Sequence, residues 1–229
     1  MEIKRFFKLE LSGWKPIEVF SLFSILCFIL INAYIKHDNP IAVISAVCGI
    51  LYTVIAGKGK ISCYFFGLCG SGFYSYLALQ NALYGNLFLY LCYYIPMQIL
   101  GIFKWKNNLN KKTNEIVKTR LSTKERIKLV IISAILCDIL SMILYFINDS
   151  NPALDGTTTM LSLVGMYLTV KRCIEQWVIW AIVNAISILM WIKILMHGEK
   201  VYATVIMWSV YFILAIYFYF QWRKELYNK

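Results

Sequence analysis

The sequence predicts an all-α integral membrane protein with about eight transmembrane helices. The chain has 229 residues, of which 60% are hydrophobic and only 15% are charged. A water-soluble domain of this length has too much surface to enclose so much apolar material. The apolar residues form long blocks separated by short polar breaks, as expected for a chain whose solvent is lipid. Aromatic residues reach 16%, which suits belts at the membrane interfaces.

The apolar blocks define eight predicted spans, several of which approach the roughly 20 residues that a bilayer core requires. They cover residues 17–35, 41–56, 62–79, 83–103, 129–147, 157–170, 174–196 and 201–222. The second and sixth are short, and the sixth lengthens if it begins at Ala153. Pro16, Pro40 and Pro152 fall at or before span starts, where proline is tolerated. Pro96 falls inside the fourth span, where we expect it to kink the helix and act as a hinge.

The basic residues lie in the gaps between apolar blocks and account for the net charge of +11. Because they form no single patch, we exclude a nucleic-acid-binding protein. If the N-terminus is cytoplasmic and each span crosses once, 20 of the 23 Lys and Arg residues fall on the cytoplasmic side. This bias predicts cytoplasmic N- and C-termini. The basic loop 104–128 is predicted to anchor this topology at anionic lipid headgroups, with a regulatory binding site as the alternative.

The sequence carries no sign of an enzyme or a cofactor site. It has no P-loop, no H-E-x-x-H and no G-x-S-x-G motif. Its seven cysteines form no C-x-x-C pair, and most lie in apolar blocks, where cysteine behaves as a small hydrophobe. We therefore expect no metal site and no disulfide framework. The first apolar block lacks a small-residue cleavage site after it, so we expect it to remain as a helix.

Two stretches, residues 60–105 and 173–222, resemble each other in spacing. Tyr64 of the first falls opposite Trp177 of the second, and each stretch follows one short apolar span. Two three-helix units, separated by the single span 129–147, would have the same orientation in the membrane. They would then be parallel repeats, as in SWEET-type transporters.

The same alignment places Gly67 opposite Trp180. With the extra N-terminal helix, the repeat gives a 3+1+3 arrangement. The predicted division is residues 1–36 for the N-terminal region, 37–105 for the first three-helix repeat, 106–152 for the basic loop and linker helix, and 153–229 for the second repeat and tail.

Polar residues inside membrane spans are costly and often mark a substrate path. Trp177, Trp180 and Asn184 follow i, i+3, i+7 spacing, which places them on one helix face. Two indoles and a carboxamide suit a flat, polar and cationic ring, because indole faces attract cations and the amide both donates and accepts. The alternative is that Trp177 belongs to the interface belt and Asn184 holds two helices together. The residues alone leave both interpretations open.

Further candidates lie in the fourth and sixth spans. Gln98 follows Pro96 closely and is either a ligand contact beside a hinge or an amide bonded to a neighbouring helix. Tyr94, just before the proline, is a candidate for the same site. Asp155 opens the sixth span and either caps that helix or, with Thr158, faces the substrate. The spans hold no ladder of acidic residues of the kind that proton relays use, which favours uncoupled transport.

The sequence resembles the PnuC family of bacterial nicotinamide riboside transporters. The resemblance rests on KISCYFFGL from Lys60, on the G-x-x-x-W ending at Trp105 and on LDGTTTMLSLVGMYLTVKRCIEQWVIWAIVNAIS from Leu154. It spans nearly the whole chain. It implies a 3+1+3 helix fold related to SWEET proteins, a homotrimer in the bacterial cytoplasmic membrane, and facilitated diffusion of a vitamin-like nucleoside.

The resemblance also implies roles for individual residues. Trp177 and Trp180 would line the site, Asn184 would bond the substrate, and Gln98 occupies a position where the family has an amide. Ile102 departs from the family, whose fourth span often has Trp at this position. A carrier of thiamine or a riboflavin-like vitamin, and a membrane receptor that does not transport, are the alternative functions.

Overall fold

The computed structural model describes residues 10, 12–37, 39–80, 84–110, 113–146, 151–196 and 202–227, and within these ranges it contains eight helices and no strand. The helices are α1 (Pro16–Lys36), α2 (Pro40–Gly57), α3 (Cys63–Gln80), α4 (Tyr84–Leu89, Tyr90–Tyr94 and Ile95–Lys106), α5 (Thr123–Phe146), α6 (Pro152–Val170), α7 (Glu175–Met196) and α8 (Tyr202–Tyr227). The predicted span ends at residues 83, 147 and 201 lie outside the described ranges, as does Lys200.

Five helical segments are long and apolar enough to cross a membrane: Pro16–Ile35, Pro40–Gly57, Leu87–Lys106, Thr123–Phe146 and Val205–Tyr227. A shorter apolar segment, Glu175–Met190, lies within α7. The chain is therefore a multi-pass membrane protein. The all-helical prediction is confirmed, whereas five rather than eight of the described helices meet this criterion. α3 and α6 are continuous helices of 18 and 19 residues, but their glycine and hydroxyl-bearing residues lower their mean hydropathy.

A π-helical turn, Tyr90–Tyr94, interrupts α4 directly before Pro96. Proline has no N–H, and its ring collides with the carbonyl group four residues earlier, so an ordinary α-helix cannot continue through it. The backbone widens instead, and the Ile95 N–H bonds to the Tyr90 carbonyl five residues back. A π turn, a feature that is frequent at functional sites, therefore precedes the proline at which a kink was predicted.

The chain divides into two compact units, Met1–Val117 and Lys118–Lys229. In the first unit, α2 packs against α3, and α3 packs against α4. Glycines allow these helices to approach closely: a side chain at Gly70 would contact Cys48, and one at Gly101 would overlap the Tyr64 ring. α1 also packs on α2, and the buried Lys58 ammonium pairs with Glu18 of α1 at 2.9 Å.

In the second unit, α5 packs against α6, α6 against α7, and α7 against α8. Gly156 of α6 lies against Ser141 of α5, where an added Cβ would be 2.8 Å from the Ser141 backbone nitrogen. Arg126 forms an ion pair with Glu175 at 2.7 Å. Lys118 forms an ion pair with Glu225. The Arg126 pair joins the first turn of α5 to the start of α7, and the Lys118 pair joins the residues before α5 to the end of α8.

The turn after α2 and the turn after α6 have the same hydrogen-bond pattern. Lys58 N–H bonds to Val54 O and Gly59 N–H to Ala56 O, with φ of 69° at Gly59. In the second unit the equivalent bonds are Lys171 N–H to Tyr167 O and Arg172 N–H to Thr169 O, with φ of 61° at Arg172. Both turns end a helix with one residue in the left-handed region. Each unit thus contains a helix–turn–helix of the same backbone geometry.

Candidate substrate-binding residues

Gln98 lies on α4, one turn after the π-helical segment, and its side chain is buried in the first unit. Its Nε2 donates to the Ser71 hydroxyl of α3 at 2.8 Å. Its Oε1 has no hydrogen-bond partner among the described residues. A buried carbonyl oxygen without a partner costs free energy, so this acceptor is suited to receive a donor from a ligand.

The free side of the Gln98 carboxamide faces Gly67 of α3. A Cβ at Gly67 would lie 2.9 Å from Gln98 Oε1 and 2.8 Å from Cδ2 of Tyr52 on α2. The missing side chain therefore leaves room for both the amide oxygen and the phenol ring. Tyr52 also makes an edge contact with Tyr64 at 6.2 Å between ring centroids. The sequence did not single out Tyr52, because tyrosines are frequent throughout the chain.

Tyr94 and Pro96 flank the start of the second α segment of α4. Tyr94 ends the π turn and belongs to an aromatic cluster, with its ring centroid 4.9 Å from that of Tyr90. Tyr90 in turn stacks on Tyr74 of α3 at 4.4 Å. Tyr94 and Gln98 lie one turn apart on the same helix, so the first unit brings them to one region.

Trp180 of α7 is half-buried in the second unit and lies against α6. Its indole Nε1 donates to the Thr169 hydroxyl at 3.3 Å, and that hydroxyl donates to the Gly165 carbonyl at 2.9 Å. A Cβ at Gly165 would lie 3.0 Å from Cε2 of the indole. Glycine at this position lets the ring lie close to the helix backbone.

Trp177 packs in the opposite direction, against α8. Its ring lies 5.2 Å from Phe218 and makes an edge contact with Trp222 at 5.6 Å. Only 3% of Trp177 is exposed, and its Nε1 has no hydrogen-bond partner among the described residues. The two indoles, expected on one helix face, thus contact different helices. Trp177 belongs to the core between α7 and α8, whereas Trp180 lies between α7 and α6.

Asn184 lies one turn beyond Trp180 and is 5% exposed. Asp155 and Thr158 lie in the first two turns of α6. The Thr158 hydroxyl bonds to the Leu154 carbonyl at 2.9 Å and to the Asp155 carbonyl at 3.2 Å, so its hydrogen is shared within its own helix. Asn151, not Asp155, occupies the N-cap position of α6. In the second unit, Trp180 and Asn184 are neighbours on α7, and Asp155 and Thr158 are neighbours on α6.

In each unit an aromatic ring lies beside a glycine of a neighbouring helix, but the order along the chain of the two helices that supply them is reversed between the units. In the first unit the ring comes from Tyr52 on α2 and the glycine, Gly67, is on α3. In the second unit the glycine, Gly165, is on α6 and the ring comes from Trp180 on α7. One aromatic ring fills the space beside one glycine in both cases. The sequence signal was the alignment of Gly67 with Trp180, but it did not show which residue fills the space at Gly67.

The turn between α6 and α7 lies outside the helical spans and carries charge. A side-chain hydrogen bond with Tyr167 raises the pKa of Lys171 and so favours its charged form further. Burial raises the pKa of the Cys173 thiol in the same turn. Cys173 is therefore an uncharged thiol at neutral pH and a poor nucleophile.

The candidate residues together offer rings, amides and one carboxylate. Gln98 and Asn184 are buried carboxamides, and Trp180 is a half-buried indole. No group of three or more His, Cys, Asp or Glu side chains that could hold a metal ion occurs in the described part of the chain. Apolar helices that enclose polar, uncharged side chains are typical of a multi-pass membrane protein that carries a small molecule.

Comparisons with known proteins identify the family within this class of multi-pass membrane proteins. The sequence pattern of a family described as nicotinamide mononucleotide transporter matches residues 39–224. A nicotinamide riboside transporter PnuC of Neisseria mucosa is 32% identical over 221 residues, covering 93% of this chain and 83% of the relative. A protein of the same name from Haemophilus influenzae is 32% identical over 216 residues, covering 93% and 92%.

A solved structure agrees with the sequence comparisons. The chain superposes on the crystal structure of the vitamin B3 transporter PnuC with a TM-score of 0.82 and 30% identity, covering 96% of both chains. The chain belongs to the nicotinamide mononucleotide transporter family. The resemblance expected from the motifs around Lys60, Trp105 and Leu154 is thereby confirmed.

Proposed function

We propose that this protein transports nicotinamide riboside across the bacterial cytoplasmic membrane. The observation that supports this most is the set of uncharged groups in the two units: the buried carboxamides of Gln98 and Asn184 and the indole of Trp180. Nicotinamide riboside has a cationic pyridinium ring and a carboxamide. An indole face attracts a cationic ring, and protein amides pair with a ligand amide. Relatives that are 32% identical carry the name of this activity.

The site chemistry favours the riboside over the mononucleotide named in the family description. A phosphate group is normally bound by Arg, Lys or a helix N-terminus. None of the residues that the sequence predicted to bind the substrate is basic: Trp177, Trp180, Asn184, Gln98, Tyr94, Asp155 and Thr158. The carboxylate of Asp155 would repel a phosphate and attract a pyridinium. The riboside therefore fits these residues better than its phosphate ester does.

The transport mechanism we propose is uncoupled uniport by alternating access between two SWEET-like parallel repeats. The equivalent turns at Lys58–Gly59 and Lys171–Arg172 support the repeat, because the same hydrogen bonds close both. Alternating access in transporters is commonly built on internal repeats of this kind. The π turn before Pro96 supplies a helix position at which the backbone can adjust.

We also propose an orientation of the chain in the membrane and an oligomeric state. The excess of Lys and Arg in the predicted inner segments supports cytoplasmic N- and C-termini. A homotrimer follows from the resemblance to the family. Many apolar side chains of α1 and α5 are exposed on the single chain, among them Phe20, Phe23 and Val130, and such surfaces suit lipid or neighbouring subunits.

The first test is calorimetry on the detergent-purified protein with nicotinamide riboside, its mononucleotide, nicotinamide and thiamine in parallel titrations. We expect the riboside to bind, and the mononucleotide and thiamine to bind at least tenfold more weakly. Preferential binding of thiamine would contradict the substrate and direct attention to Ile102, where the family often has Trp. Preferential binding of the mononucleotide would contradict the argument from the absence of a basic side chain.

Transport itself is tested in reconstituted vesicles. Vesicles preloaded with unlabelled riboside should accumulate labelled riboside by counterflow, with no ion gradient present. A protein that binds the riboside in calorimetry but gives no counterflow would be a receptor, the alternative from a different functional class.

A further inference from the structure

Thr169 connects the indole of Trp180 to the backbone of α6. Its hydroxyl accepts from Trp180 Nε1 at 3.3 Å and donates to the Gly165 carbonyl at 2.9 Å. Thr169 is 2% exposed, so water does not compete for these bonds. An indole nitrogen can only donate, and a threonine hydroxyl has one hydrogen. The direction of both bonds is therefore determined by chemistry.

The bond restricts how the indole can turn. With its N–H directed at Thr169, the ring lies beside Gly165, where a Cβ would be 3.0 Å from Cε2 and 3.2 Å from Cζ2. Rotation of the side chain would break its bond to the buried Thr169 hydroxyl, which costs free energy. Gly165 thus lies against one part of the ring, and the half-buried indole keeps accessible surface that a ligand can contact.

We propose that Thr169 is a positioning residue for substrate binding, which holds the Trp180 indole over Gly165 so that the ring presents a face, and not its N–H, to the ligand. This inference rests on the proposed function, in which Trp180 contacts the substrate. It identifies the contact as ring stacking or cation–π attraction, because the indole donor is already used. The bound ligand must therefore have a flat or cationic ring at this position.

The geometry of the first unit shows what is specific to Thr169. Thr53 of α2 also bonds to a glycine carbonyl one turn earlier, Gly49, at 2.9 Å. The same hydroxyl-to-backbone bond therefore occurs in both units. The link from the hydroxyl to an indole distinguishes Thr169, so Thr53 provides a control with matched chemistry.

The test compares Thr169→Val, Thr169→Ser and Thr53→Val for affinity of nicotinamide riboside by calorimetry and for the melting temperature without ligand. Valine has the shape of threonine but no hydroxyl, whereas serine keeps the hydroxyl. We expect Thr169→Val to weaken binding about threefold to tenfold, the range for loss of one hydrogen bond. Thr169→Ser should bind within twofold of the wild type, and so should Thr53→Val.

A second arm combines Thr169→Val with Trp180→Phe, which removes the other partner of the same bond. If Thr169 acts through the indole, the double variant should bind no more weakly than Trp180→Phe alone, within about twofold. Equal losses in both backgrounds would show that Thr169 acts independently of Trp180 and would overturn the inference. Wild-type affinity of Thr169→Val would overturn it as well.

The two hypotheses fail in different ways. If Trp180→Ala binds the riboside as well as the wild type, the proposed site is wrong. If Trp180→Ala loses affinity while Thr169→Val does not, the site stands and only the positioning role fails. A loss of melting temperature shared by Thr169→Val and Thr53→Val, without a specific loss of affinity in Thr169→Val, would indicate that the hydroxyl only stabilises its helix.

Discussion

Gly67→Ala is predicted to weaken substrate binding through Gln98 without unfolding the protein. The new Cβ would lie 2.8 Å from Cδ2 of Tyr52 and 2.9 Å from Oε1 of Gln98. Carbon atoms pack optimally at about 3.5–4.0 Å, so the Tyr52 carbon would have to move by at least roughly 0.7 Å, and the Gln98 oxygen, which is smaller, by less. The ring of Tyr52 is stiff, and the amide of Gln98 is the end of a flexible side chain, so we expect the amide to move most.

The size of the effect follows from two opposing contributions to stability and one to affinity. Overpacking of this kind costs about 1–3 kcal/mol, while alanine in a helix interior is better than glycine by about 0.5–1 kcal/mol. The net loss of stability is therefore no more than about 2.5 kcal/mol. Displacing Gln98 Oε1 removes one ligand hydrogen bond, worth about 1 kcal/mol, which corresponds to about fivefold weaker binding.

The assay is riboside calorimetry together with the melting temperature of the purified protein. Gly72→Ala is the control, because it lies on the same helix and its Cβ would meet no atom within 4 Å. We expect Gly72→Ala to bind as the wild type does. If Gly67→Ala is folded and also binds with wild-type affinity, Gln98 does not contact the substrate, and the reasoning is refuted.

Three further predictions test the site, the mechanism and the fold. Trp180→Ala should weaken riboside binding by about 1–3 kcal/mol, the range for stacking of a base on an aromatic ring. Calorimetry measures this loss of affinity, and an unchanged affinity would contradict the site. Uptake into cells should be saturable and should persist when ionophores abolish proton and sodium gradients; uptake that tracks either gradient would refute uniport. Gly101→Ala should reduce the free energy of unfolding by about 3 kcal/mol or more and lower the melting temperature accordingly, because the added Cβ would overlap the buried Tyr64 ring. A wild-type melting temperature for Gly101→Ala would contradict the packing of α3 on α4.

The helical membrane architecture could be predicted from the sequence because hydropathy is a local property. A run of apolar residues such as 17–35 identifies a span without knowledge of its neighbours. The amides Gln98 and Asn184 could also be singled out from the sequence, because polar residues inside apolar segments are costly and often functional. Helix ends were less accurate: α5 begins at Thr123, six residues before the predicted span, because polar residues can extend a helix beyond the lipid.

Contacts between helices were not predictable, because they depend on which faces meet. Trp177 and Trp180 share i, i+3 spacing, yet one indole packs on Phe218 and the other lies against Gly165. Small rotations about a helix axis decide such contacts, and spacing alone does not determine the rotation. The contact of Thr169 with Trp180 depends on the same rotations, and spacing did not indicate it.

The sequence by itself determined that this protein is a helical membrane protein, identified its family, and singled out the amides and indoles that we propose bind the substrate. The composition and the order of the residues carry this information, because the preference of a segment for lipid or water depends only on the residues within that segment. Only the tertiary structure decided that the Pro96 region forms a π turn, that Gln98 donates to Ser71, and that Trp180 donates to Thr169. The π turn is a local arrangement of the backbone beside Pro96. The two side-chain bonds join different helices, and their geometry exists only in the folded chain.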